Sequence, residues 1–254
     1  MRRFLQTHAL MEGRGAESYF MMTSSPLFYK NFDIYVRVVS HLLEKKEFIN
    51  ILNIGFASAT LEDILLDKFG KLIAISAIDI SDTFHKLVNK KKYRERFGDR
   101  IKFIKANIEE KIEPFDKFDL IISRDLNHHL SSLLIYLRNS YNMLKQDGIM
   151  LMEDLRFDAD IQGIKAFNDL IFSLPAFRNN NELLFHKMIG LYESFLSSFT
   201  FEEIEHELEK SDFYWVGEKS SSRYHFFLSK SKKINKRNKH FLRYLMSLYS
   251  NDAD

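Results

Sequence analysis

The sequence predicts an α/β protein: a doubly wound, mainly parallel sheet with a terminal antiparallel hairpin and a helical cap. Three observations predict it. Between residues 48 and 156, apolar runs of strand type alternate with segments of helical period, the order that parallel strands with right-handed crossovers require. Only 9 Gly and 3 Pro leave few sharp turns, which favours long helices over a loop-rich β fold. Finally, the first apolar run, in "ILNIGFASATLEDILL" (51–66), stops at one glycine and becomes helical after a few small residues, a strand-to-helix turn of the kind that nucleotide-binding sheets use.

The elements follow in order. "FDIYVRVVSHLLEKK" (32–46) repeats Ile34, Val38 and Leu42 at helical spacing and ends in lysines, as a helix C-terminus prefers. "FINILNIGF" (48–56) is a buried-type strand, and "TLEDILLDKFG" (60–70) is an amphipathic helix stopped by Gly70. Residues 71–81 form a second strand, 82–99 a charged helix closed by Gly98, and 100–108 a third strand with clear alternation. After Pro114 comes a fourth strand, 117–125. A helix with a serine start and a stop at Gly148 (131–148) leads into a fifth strand, 148–156.

Past 156 the rhythm changes. Residues 158–199 read as one or two helices rich in aromatics, among them Phe167, Phe172, Phe177, Phe185, Tyr192, Phe195 and Phe199, either core or an apolar acceptor pocket. "TFEEIEHELEKSDF" (200–213) opens on a capping box of Thr200 and Glu203, and "YWVGEKSSSRYHFFLSK" (214–230) reads as a hairpin. The expected division is a helical lid over 1–47, the α/β domain over 48–229 with 158–199 as its cap, and a basic tail over 230–254.

Composition narrows the function. The 37 basic and 35 acidic residues nearly balance, so net charge does not by itself point to nucleic acid. The stretch 230–243, "KSKKINKRNKHFLR", nevertheless holds seven Lys or Arg and no acid. The absence of cysteine excludes disulfides, thiolate metal sites and cysteine nucleophiles, and no metal site is assigned. No run approaches the roughly 18 apolar residues of a membrane span, and the first residues lack the apolar region of a signal peptide. A soluble, cytoplasmic protein is the expectation.

In a doubly wound sheet, ligands gather at the carboxyl ends of the strands. There the chain carries "NIGFASA", then Asp79, Asn107 and "SRDLNHH". Asp79 lies 24 residues after Gly55 (79 − 55), close to the spacing at which a carboxylate holds ribose hydroxyls. Asp125, His128 and His129 stand where an acceptor would meet an activated group, and an imidazole could take its proton. The bland alternative is that the two histidines simply open a helix. Glu153, Asp154 and Arg156 end strand five and read as an acceptor-orienting group or as a structural ion pair.

These pieces resemble the class I S-adenosylmethionine-dependent methyltransferases, a Rossmann-like family, well over 48–156 and loosely to 229. The matching segments are "NIGFASA", "AIDIS" (77–81), "KFIKANIEE" (102–110), "FDLIISRDLNHHL" (118–130), "LKQDGIMLMED" (144–154) and "ESFLSSFTFEEIEHELEKSDF" (193–213). The resemblance implies S-adenosylmethionine as cofactor, leaving as S-adenosylhomocysteine. It places Asn53, Gly55, Phe56, Ala57, Asp79, Ile80, Asn107, Ile108, Ser123 and Arg124 around it, with Tyr19, Phe20 and Met22 in a lid. Two departures matter. Ala57 and Ala59 replace glycines: at positive φ each carries roughly 1 kcal/mol of strain, at negative φ their methyls only narrow the loop. Asn53 and Asn107 replace acids, each losing charge-assisted strength on the order of 1 kcal/mol.

The expected activity is in-line methyl transfer to a small-molecule acceptor. No "NPPY" tetrapeptide follows strand four, which disfavours amino-methylation by that route. One alternative is a non-catalytic scaffold that keeps the fold. Another is an RNA methyltransferase whose basic tail tracks phosphates, with Phe241, Tyr244 and Tyr249 as contacts. A homodimer is the default assembly.

Overall fold

The computed structural model describes residues 12–90, 93–110, 117–177, 180–233, 239–241 and 243–244. Much of 230–254, expected as a basic tail, and residues 1–11 of the expected amino-terminal lid lie outside the described residues.

Seven strands form one sheet: β1 (Ile49–Ile54), β2 (Ile73–Asp79), β3 (Ile101–Lys105), β4 (Phe118–Arg124), β5 (Leu144–Leu155), β6 (Tyr214–Lys219) and β7 (Arg223–Ser229). Their order is β3-β2-β1-β4-β5-β7-β6. β1 to β5 pair in parallel, and β7 returns antiparallel between β5 and β6. The direction of winding reverses between β1 and β4, and there the strand ends open a crevice.

Period-two alternation sorts the side chains onto two faces. Ile51, Leu120, Ile122, Leu151 and Phe227 enter one core, whereas Leu52, Ile121, Met150, Met152 and Phe226 enter the other. The first core packs on α1 (Gly13–Thr23), α2 (Asp33–Leu43), α3 (Thr60–Phe69), α4 (Asp82–Asn89), α5 (Tyr93–Phe97), α7 (Ile161–Ser173) and α8 (Asn181–Ser197). The second packs on α6 (Leu133–Met143) and α9 (Phe201–Glu209). Ser81, Ser132 and Thr200 cap α4, α6 and α9, and Thr200 with Glu203 forms the capping box read from the sequence.

Three boundaries differ from expectation. The single helix over 82–99 is two, α4 and α5, followed by a 3-10 turn at Gly98–Arg100. The helix over 32–46 is α2 behind a 3-10 segment, Pro26–Phe32. Gly148 does not stop α6; it lies inside β5, which already starts at Leu144. The reason is a close approach: a Cβ at Gly148 would sit 2.8 Å from the Phe118 carbonyl oxygen and 2.9 Å from Leu144. The β4–β5 register shifts at that point, between Phe118 and Leu120. Gly148→Ala therefore loses about 1–3 kcal/mol by overpacking, measured as a lower urea midpoint with an unchanged m-value.

Candidate functional site

A cleft opens at the carboxyl ends of β1, β2, β3 and β4, roofed by α1 and α8. Its open volume, including the solvent at its mouth, is about 1170 Å³, above the 300–1,000 Å³ typical of single-ligand sites. Gly55, Ala57, Asp79, Ile80, Asn107, Ile108 and Arg124 line it together with Asp125, His128 and His129.

The β1 turn is built from positive φ. Gly55 (φ 83), Ala57 (φ 45) and Ala59 (φ 53) all lie in the left-handed region. The two alanines thus retain the backbone of glycines and carry the strain, on the order of 1 kcal/mol each. The turn holds because its polar groups are satisfied: Gly55 N donates to the Ile78 carbonyl (2.7 Å) and Ala57 N to Asp79 Oδ2 (3.0 Å). Ser81 N donates to Asp79 Oδ1 (2.9 Å), so the carboxylate is fixed at the cleft wall with lone pairs to spare. Burial raises the Asp79 pKa, against the pull of these N–H donors. At the end of β3, Asn107 closes an Asx turn, Glu109 N donating to its Oδ1 (3.0 Å), and stays at the cleft wall.

Three expected cofactor residues do not line this cleft. Asn53 and Phe56 border a smaller recess behind the turn, of about 370 Å³. Asn53 donates to Glu62 Oε1 (2.6 Å), which fixes its amide within β1 and α3. Phe56 is buried edge-on against His85 and Phe103 because the turn carries its ring away from the cleft. Ser123 is fully buried inside β4. On the lid, Ser18 and Tyr19 face the cleft, whereas Met22 is buried in the core.

After β4 the chain turns sharply at Asp125 (φ 51). Arg223 Nη1 donates to Asp125 Oδ1 (2.6 Å) and lies 3.0 Å from Glu153 Oε1. Arg124 Nε stands 3.5 Å from Asp125 and 3.6 Å from Glu153. Tyr19 donates its hydroxyl to Asp125 (3.1 Å), and Tyr35 donates to Glu153 (2.7 Å). Burial pushes the Asp125 and Glu153 carboxyls up, but the two guanidiniums outweigh it and hold both below the ordinary range. Asp125 is thus an ion-paired anchor for the turn. His128, on the 3-10 turn Asn127–His129, meets Asp154: Nδ1 is 2.7 Å from Oδ1, and His128 N donates to Oδ2 (3.0 Å). A carboxylate only accepts, so Nδ1 is the nitrogen that carries a proton in this pair.

Glu153 and Asp154 are buried behind the cleft, not at its surface, and Arg156 pairs with Asp158 (2.9 Å) away from it. The aromatic cap divides too. Phe177 and Phe195 are core, whereas Phe172, Phe185 and Tyr192 are exposed. The face of α8 over the cleft is instead Lys187, Gly190, Leu191 and Ser194, one stripe at helical spacing. Sequence reasoning missed Lys187 and Arg223; the stripe of small and polar residues in an aromatic helix was the available signal. Of the basic tail, Phe241 is described, and its ring stacks on His41 at 4.3 Å between centroids. Among the described residues no helix is long and apolar enough to cross a membrane, and no cluster of three or more His, Asp or Glu could hold a metal ion.

Residues 52–152 match the methyltransferase-domain family. The seven-stranded, mostly parallel sheet with its antiparallel end has the Rossmann-like fold of class I methyltransferase structures. Solved structures with the same fold include the plantazolicin methyltransferase BpumL in complex with a monoazolic desmethylPZN analog and SAH. That match has a TM-score of 0.65 and 14% identity, covering 86% of this chain and 90% of that one. A putative S-adenosyl-L-methionine-dependent methyltransferase from Methanococcus maripaludis matches at TM-score 0.61 and 16% identity, over 91% of this chain and 98% of the other. The citrinin polyketide synthase CMeT domain matches at 0.63 and 15%, over 85% of this chain and 57% of its own. No curated protein sequence matches the chain.

Arg223 supports two buried acids at once. Arg223→Met is expected to cost about 3–5 kcal/mol, because it strips both of a partner. The lowered carboxyl pKa values contribute stability above the unfolded value, near 4, that is lost as pH falls. The variant's extra instability should accordingly be fully present at pH 7 and shrink toward pH 3, as urea unfolding across that range would show.

Proposed function

We propose that the protein is a methyltransferase that binds S-adenosylmethionine across the β1, β2 and β3 ends and methylates a small-molecule acceptor over the β4 and β5 ends. The observation that carries the reading is the Asp79 carboxylate, fixed by Ala57 N and Ser81 N beside the positive-φ turn at Gly55. A carboxylate so held has lone pairs left to accept from both hydroxyls of a ribose. Asn107 and Ile108 border the place for the adenine. These groups fit the cofactor, with the amino-acid end directed toward Arg124 and the recess beside Asn53.

When bound, S-adenosylmethionine supplies an electrophilic methyl group on a sulfonium. The chain's own residues have the rest to do. α1 and α8 exclude water from the cleft, which strengthens every charge interaction inside it. Tyr19 and Arg223 hold Asp125, and with it the β4 turn, in one conformation, so the acceptor meets a rigid wall. His128 Nε2 takes the proton from the acceptor hydroxyl or amine, and Asp154 steadies the resulting imidazolium. Natural-product enzymes among the structures of like fold support a small acceptor.

Titration calorimetry with S-adenosylhomocysteine tests the site. The wild type is expected to bind in the micromolar range, and Asp79→Ala to lose at least tenfold; an unchanged affinity overturns the assignment. His128→Ala should leave that affinity alone and lower kcat by about 10²–10⁴, the usual worth of a positioned base.

A further inference from the structure

Lys187 is the one cation of the cleft wall, among the described residues, whose ammonium meets no carboxylate within ion-pair distance in this structure. It projects from α8 at the acceptor end and is only 6% exposed. Its near neighbour is the face of Tyr19, whose ring centroid lies 4.6 Å from Nζ. Asp125, the closest acid to act on it, is already occupied by Arg223 (2.6 Å), Arg124 (3.5 Å) and the Tyr19 hydroxyl (3.1 Å). Burying a charge without a partner is expensive, and this one lines a cleft where a ligand's anionic group could meet it.

Resting on the methyltransferase reading above, we infer that Lys187 recognises a carboxylate on the methyl acceptor, so that the substrate class is small organic acids bearing a hydroxyl or amine to be methylated. The charge count favours a monoanion: one unmatched ammonium offsets one negative charge, and a phosphate dianion would bring a second into a site whose guanidiniums are already shared between Asp125 and Glu153. The surroundings suit the rest of such a molecule. Leu155, Leu191 and His128 line the same cleft as Lys187, and Gly190, three residues on along α8, leaves open space there. Recognition at one end and deprotonation at the other fix the acceptor's orientation.

Burial brings the Lys187 pKa down to about 8, with Asp125 opposing and Arg223 assisting. The ammonium is therefore mostly charged at pH 7 and loses its charge as pH rises through that value. Tyr19 on α1, Asp125 and Arg124 after β4, Arg223 on β7, His186 on α8, and His128 and His129 on the 3-10 turn face the same space. Any pH profile must then be read as a difference between wild type and a Lys187 variant.

The test is calorimetry with acetate, benzoate and 4-hydroxybenzoate, each against its primary amide, with and without saturating S-adenosylhomocysteine. In the wild type at least one acid should bind tenfold or more tighter than its amide, and this preference should fade between pH 7 and 9.5. Lys187→Met should abolish the preference and its pH dependence, and Lys187→Arg should restore it. Equal binding of every acid and amide by the wild type, or a preference that survives in Lys187→Met, overturns the proposal. So does a third result: Lys187→Met weakening S-adenosylhomocysteine but not 5′-methylthioadenosine, which would assign the lysine to the cofactor's own carboxylate. Failure of the methyltransferase reading looks different, as loss of all S-adenosylhomocysteine binding by the wild type, while the titrations without it still report on Lys187.

Discussion

The β4–β5 end of the cleft depends on the buried ion cluster of Arg124, Asp125, Glu153 and Arg223. It ties the tips of β4, β5 and β7 together at the place where the parallel part of the sheet meets the antiparallel return. Removing such charges from water is costly, and apolar residues of like size would often be as stable. What the cluster adds is position. It holds Asp125 at a φ that a β-carbon disfavours, and through the Tyr19 hydroxyl it sets where α1 crosses the cleft.

The architecture was legible in the sequence because its signals are local and repeated. Strand and helix periods alternate, glycines and serines punctuate them, and an acid follows the first loop at ribose spacing. Gly148 misled for an equally local reason. A glycine after a helix looks like a stop, and only the approach of the Phe118 carbonyl shows that it serves the strand.

The site was legible where the backbone dictates it and obscure where tertiary contacts do. Asp79, Asn107 and His128 follow from strand ends. By contrast, the diversion of Asn53 to Glu62, the turning of Phe56 into the core and the pairing of His128 with Asp154 join residues that no spacing rule connects. The alanines are the instructive case. Their chemistry suggested a changed loop, yet their positive φ values preserve the shape of a glycine turn at an energetic cost that the surrounding hydrogen bonds offset.

α1 is fastened at three points: Glu12 accepts from Asp82 N and Thr83 N at the start of α4, Tyr19 reaches the β4 turn, and Thr23 Oγ1 donates to Ser58 in the glycine loop. One rigid bar thus touches the start of α4, the β4 turn and the loop after β1. It cannot swing away from the β2 side of the cleft without slackening its hold on the β4 turn, so a shift at one end is passed to the other through leverage on a shared beam.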